Sequence, residues 1–148
     1  AMPLNLIKLC VGIETVEELE HYRAEQVRHA EASGVEPVST HRTRSFPRRA
    51  EEILEGGSLY WVIKGQVRAR QRIERLDEVE MGEGGRPHCG IVLDPKVVRV
   101  VPRPQRAFQG WRYLEEANVP QDLYEAGGDI DAAMPDEMQA ELRRLGIL

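Results

Sequence analysis

The stretch Thr40–Leu76, THRTRSFPRRAEEILEGGSLYWVIKGQVRARQRIERL, decides how the rest of the 148-residue chain is read. Within it, Ser58 to Lys64 (SLYWVIK) is rich in β-branched and aromatic side chains, which fit a pleated, half-buried surface. Gly65 supplies a turn, and Gln66 to Leu76 follows as the second strand of an antiparallel hairpin. Side chains alternate along a strand, so Val67, Ala69, Gln71 and Ile73 point one way and Arg68, Arg70, Arg72 and Glu74 the other. The spacing predicts three guanidiniums about 7 Å apart. Ahead of the hairpin, Ser45 or Phe46 caps a short helix with Pro47 preset for its first turn. Ala50, Ile53 and Leu54 form its buried side, and Gly56-Gly57 stop it.

On the N-terminal side, Leu4 to Val11 (LNLIKLCV) is a nearly continuous apolar run of strand length, ended by Gly12. Thr15 and Glu18 have the spacing of a capping box and open a helix that runs to about Ser33. Val16, Leu19, Tyr22, Val27 and Ala30 lie on or near its inner face, and Gly34 ends it. Val35 to His41 is a connection kept extended by Pro37. On the C-terminal side, Met81 to Pro87 is a glycine-rich loop. His88 to Leu93 and Lys96 to Val101 are two strands hinged at Asp94-Pro95, and Pro102 to Arg106 is extended. Phe108 to Leu114 (FQGWRYL) is an aromatic and arginine cluster with no assigned conformation, and Pro120 to Asp131 holds a helical turn at most. A last helix has Pro135 in its first turn, Arg143 and Arg144 near its end, and Met134, Met138, Leu142 and Leu145 as its inner stripe.

Five strands and three helices that do not alternate argue for α+β, with residues 2–148 forming one domain. The expected architecture is a curled, largely antiparallel sheet or small β-barrel, flanked by N- and C-terminal helices. No apolar run reaches membrane-spanning length, and no charged segment followed by an apolar one opens the chain. Cys10 and Cys89 make neither a disulfide framework nor a zinc spacing. A cytoplasmic protein with reduced thiols, no metal, no cofactor and no membrane partner is expected.

The net charge is -5, but it is unevenly spread. Residues 1–40 carry 3 basic and 7 acidic groups, residues 41–75 carry 9 and 4, and residues 76–148 carry 8 and 14. A local excess of this kind decides what a face attracts. Arginine suits bidentate phosphate or carboxylate recognition. Arg68, Arg70 and Arg72, extended by Arg42, Arg44, Arg48 and Arg49, are therefore candidate phosphate contacts. Trp61, or Trp111 beside Arg112 in the later cluster, is a candidate for base stacking. Against this stands an ordinary solvated strand face whose arginines pair with glutamates. For Trp111 and Arg112 the alternative is an aromatic latch that closes the sheet.

Other pairings are weaker. His88 and Cys89 are neighbours on a strand and point to opposite faces, so the thiol is expected to be buried and inert. His41 is read as a connection histidine with the chemistry of an acid or base. Glu17, His21 and Glu25 diverge too far along a helix to hold one ion. Gly82, Gly84 and Gly85 are not followed by the Lys-Ser/Thr of a phosphate loop.

The segments LNLIKLCVG, HRTRSFPRRAEEILEGGSLYWVIKG with RQRI, and FQGWRYL resemble an uncharacterised, conserved alphaproteobacterial family, a bacterial domain of unknown function. The resemblance spans nearly the whole chain and implies no catalytic residues. A second likeness, of architecture alone, is to PUA and ASCH-type RNA-binding folds, small curled barrels in which a short helix and a glycine precede core strands. The function expected is a non-catalytic module that binds RNA or another polyanion. The alternatives are a small enzyme acting on an anionic metabolite or nucleotide, with His41 and arginines in a pocket, and a protein-interaction or assembly module. Catalysis and oligomeric state are left open.

Overall fold

The computed structural model describes residues 3–79, 88–124 and 144. The expected Met81–Pro87 loop and the helix expected from Pro135 lie outside them. The described elements are β1 (Leu4–Leu9), α1 (Val16–Ala32), β2 (Ser39–Thr43), α2 (Ala50–Ile53), β3 (Ser58–Ile63), β4 (Gln66–Val79), β5 (His88–Leu93), β6 (Val98–Pro104) and β7 (Trp111–Glu115).

The strands form one sheet in the order β2-β5-β4-β3-β1-β7, with β6 paired to β4. The 14-residue β4 is its hub. The first half of β4 pairs β3 and β6, and its second half pairs β5. Every named pairing is antiparallel except β1 with β3, which is parallel and follows a crossover through α1, β2 and α2. The class is α+β, as expected. The sheet curls but does not close into a barrel, because β2 and β7 end its order unpaired with each other.

Both faces of the sheet are covered, which explains the unbroken apolar runs of β1 and β3. On one face Leu4, Leu6, Leu59, Trp61, Ile63, Ala69, Ile73, Ile91 and Leu93 pack with Val16 and Leu19 of α1 and Ile53 of α2. On the other, Ile7, Tyr60, Val62, Val67, Val100 and Leu114 pack with Phe108 and Val119. Helix α1 starts after Thr15 with one half of the expected capping box, because the Glu18 carboxylate reaches the amide of Glu14 in place of that of Thr15. Thr15 Oγ1 accepts from the Glu18 amide at 3.1 Å, and the Glu18 carboxylate accepts from the Glu14 amide at 3.3 Å.

Four local expectations change. The Val35–His41 connection gives way to β2, whose buried members are the polar Ser39 and Thr43. The FQGWRYL cluster contains β7. The helix after Pro47 is a single turn, Ala50–Ile53. The inner face of α1 carries Arg23 in place of Tyr22, which is 52% exposed. The alternation on β4 is also interrupted. Trp61 pairs with Ala69 but Val62 pairs with Val67, so Arg68 is an extra residue in a bulge. Val67 and Ala69 consequently join opposite core faces. A second irregularity between Ile73 and Arg75 keeps Ile73 and Leu76 on the same side. These bulges bend one long strand so that it serves both halves of the sheet.

Candidate functional site

The arginines of β4 do not form an open row. Arg70 places a bidentate fork on Asp122 at 2.8 and 2.7 Å and donates to Ser58 Oγ at 3.0 Å. It thereby ties down the segment after β7, which runs along β6 through the Val101 amide to Gln121 carbonyl bond and the Leu123 amide to Arg99 carbonyl bond. Arg68 is buried at its bulge and donates to Gln66, while Arg72 is exposed. Arg49 forks onto Glu52, reaches Glu115 at 3.2 Å and lies over the Tyr113 ring. Arg48 is exposed on the chain just before it. Arg112 sits 4.2 Å from the Phe108 ring centroid. Arg99 bridges β6 to α1 through Glu17 and Glu20. Trp61 is a core residue with 1% exposure.

The remaining candidates come together elsewhere. Where β2 and β7 stand apart, Lys8, Arg42, Arg44, Ser45, Gln109 and Trp111 help to line a groove of about 680 Å³. No acidic residue lines it among the described residues. Trp111 is fixed by its Nε1–H, which donates to the Ser45 carbonyl at 3.0 Å, and by an edge contact with Tyr113. Lys8 reaches the groove because it shares the inward parity of Leu4 and Leu6 on β1.

Beyond Lys8, the same side of the chain carries Cys10 into a second pocket of about 440 Å³, whose wall includes Arg23, Gln26, His41 and Trp61. Its floor is organised by the fully buried Gln71. Gln71 Oε1 accepts from Arg23 Nε at 3.1 Å and from Trp61 Nε1 at 3.0 Å, and its Nε2 donates to the Asp94 carbonyl at 2.8 Å. Gln26 Oε1 accepts from Arg23 Nη1 at 2.8 Å and from Ser39 Oγ at 3.0 Å. Arg23 is 7% exposed and makes no ion pair among the described residues. Burial pushes its guanidinium below the usual arginine range. Sequence reasoning passed over Lys8, Arg23 and Gln26; the available signals were strand parity and the Val16, Leu19, Arg23 spacing of α1.

His41 belongs to a strand and not to a loop. Its ring meets Trp61 edge-on at 5.2 Å, and its Nε2 is buried without a hydrogen-bond partner among the described residues. Burial, then the charges of Lys8 and Arg23, lower its pKa to about 4. Among the described residues that line this pocket, Arg23 is the one arginine beside His41. Burial pushes the Cys10 thiol up to about 11, and the buried Cys89 likewise to about 11, so both are thiols at neutral pH.

A stability consequence follows for His41. The unfolded chain takes up its proton near pH 6.5, whereas the folded one resists until about pH 4. The stability present above pH 6.5 is therefore lost as pH falls through this window. Tm by circular dichroism is expected to drop between pH 7 and pH 4.5 by several degrees more in the wild type than in His41→Gln. Equal acid sensitivity in both would contradict the assignment.

Fold and cleft together define a class: an α+β protein on a curled, open, mixed sheet, with a cleft between its end strands that is lined by basic and not acidic side chains among the described residues. The chain belongs to the family described as protein of unknown function (DUF1489), whose family model matches residues 6–148. No curated protein matches it, and no solved structure does. Among the described residues, no helix is long and apolar enough to cross a membrane.

Proposed function

We propose that this chain is a non-catalytic nucleic-acid-binding module for single-stranded RNA, and that its contact surface is the cleft between β2 and β7. The observation that carries the proposal is the cleft's lining: Lys8, Arg42 and Arg44 together with Trp111, with no carboxylate among the described residues that line it. A concave wall of one sign concentrates its field even on a chain of net charge -5. Arginine forks suit phosphate oxygens, and an indole offers a stacking face to an unpaired base. Single strands are favoured over duplexes because only unpaired bases present that face. The hairpin arginines Arg68 and Arg70 contribute to holding the sheet and its flanking segment, which leaves the backbone contacts to the cleft.

The test is fluorescence anisotropy with a labelled 12-nucleotide single-stranded RNA across a salt series. Three phosphate contacts give a slope of about -2 in log K against log salt, from roughly -0.7 per contact on single strands. Affinity that does not change with salt, or no binding at 20 mM salt, would contradict the proposal.

A further inference from the structure

The pocket behind the cleft carries a separate inference, which does not depend on RNA binding. Arg23 is a charged group more than nine-tenths buried. Taking a guanidinium out of water is costly unless an opposite charge compensates it. Elsewhere the half-buried Arg70 holds Asp122 and the half-buried Arg99 holds Glu20. Arg23 instead holds two neutral amide oxygens, from Gln71 and Gln26. Those amides are themselves fixed, by Asp94, Trp61 and Ser39, so the guanidinium is held in one orientation. Its Nε and one Nη1 hydrogen are engaged, while Nη2 makes no hydrogen bond among the described residues.

We propose that this pocket binds a small aromatic carboxylate, with the unengaged Nη hydrogens of Arg23 taking the carboxylate oxygens. His41 Nε2, buried on the same wall without a partner, supplies a further hydrogen bond in the tautomer that carries its proton there. Ile13, Leu19, Tyr22 and Trp61 offer apolar and aromatic surface for the ring. A volume of about 440 Å³ suits a molecule of that size. One buried cation beside a neutral histidine matches a single negative charge, which favours a carboxylate over a dianionic phosphate.

Benzoate is the probe, with benzamide and phenyl phosphate as controls, titrated into the ¹⁵N-labelled full chain. The two tryptophan indole signals are assigned with Trp111→Phe. Benzoate is expected to shift the Trp61 indole signal, whose N–H shares Gln71 with Arg23; benzamide should leave it unmoved and phenyl phosphate should bind more weakly. Arg23→Lys keeps the charge but removes the fork, and should weaken binding about tenfold. Tyr22→Glu changes a residue of the pocket wall that is 52% exposed, so the core should persist and the Tm rise separates a new counter-charge from the loss of the Tyr22 ring contact. Arg23 lies 5.4 Å from the Tyr22 ring centroid, so the new carboxylate supplies the missing counter-charge, abolishing benzoate binding and raising Tm. No shift at 20 mM benzoate, tighter binding of phenyl phosphate, or benzoate binding unaffected by Tyr22→Glu would each overturn the proposal. Arg42→Glu/Arg44→Glu should leave benzoate binding intact, so loss of RNA binding and loss of pocket binding are separable.

Discussion

Replacing Gly57 with alanine is expected to cost more stability than the same change at any other described glycine. Gly57 starts the run into β3, where its amide donates to the Ile53 carbonyl at 2.8 Å and its carbonyl accepts from the Ile73 amide at 3.0 Å. A Cβ there would lie 2.1 Å from the Leu4 carbonyl oxygen and 2.6 Å from that of Ile53. Both obstacles are backbone, so no side-chain rotation relieves them. Relief requires separating the start of β3 from β1 and α2, the junction that sets the parallel pair. Roughly 3 kcal/mol or more is expected, by analogy with overpacked cores, lowering Tm by about 10 °C. Gly65→Ala is the comparison. At Gly65 φ is +77° but nothing lies within 4 Å of a Cβ, so only the conformational cost of about 1 kcal/mol applies. Urea denaturation of both variants measures the difference, and equal costs would contradict the close approach at Gly57.

The second large effect is on binding. Arg42→Glu/Arg44→Glu places two carboxylates in the cleft and is expected to weaken single-stranded RNA binding about 100-fold at low salt, through lost contacts and new repulsion of the backbone. Both side chains are exposed on β2 and the turn that follows it, so the fold should persist. The far-ultraviolet circular dichroism spectrum should match the wild type. A loss under threefold would place the contact surface elsewhere.

What could be seen in the sequence depended on whether local chemistry or distant packing decided the outcome. Helix α1 was legible because Thr15, Glu18 and Gly34 mark its ends by short-range bonding and backbone geometry. Strands β1, β3 and β5 were legible because burial on both faces leaves long apolar runs. Strand β2 was not, since STHRT is polar and its burial comes from pairing with β5, whose residues lie some fifty positions away. The same limit affected the site. The bulge at Arg68 depends on how β4 is shared between β3 and β6, and no local pattern announces it. Arg23 sits at the position an apolar residue would fill, four residues after Leu19. An arginine on that stripe marks either a buried partner or a pocket. Lys8, between Leu6 and Cys10 on inward parity, was a similar sign. The stretch Thr40–Leu76 supplies α2, β3 and most of β4, and the proposed contact surface draws Arg42 and Arg44 from its start.

The most direct test of the cleft is the salt dependence of single-stranded RNA affinity in wild type and Arg42→Glu/Arg44→Glu side by side. A slope near -2 in the wild type, falling to about -0.7 or less in the variant, is the expected result. Equal slopes in the two proteins would show that the backbone is held somewhere other than between β2 and β7.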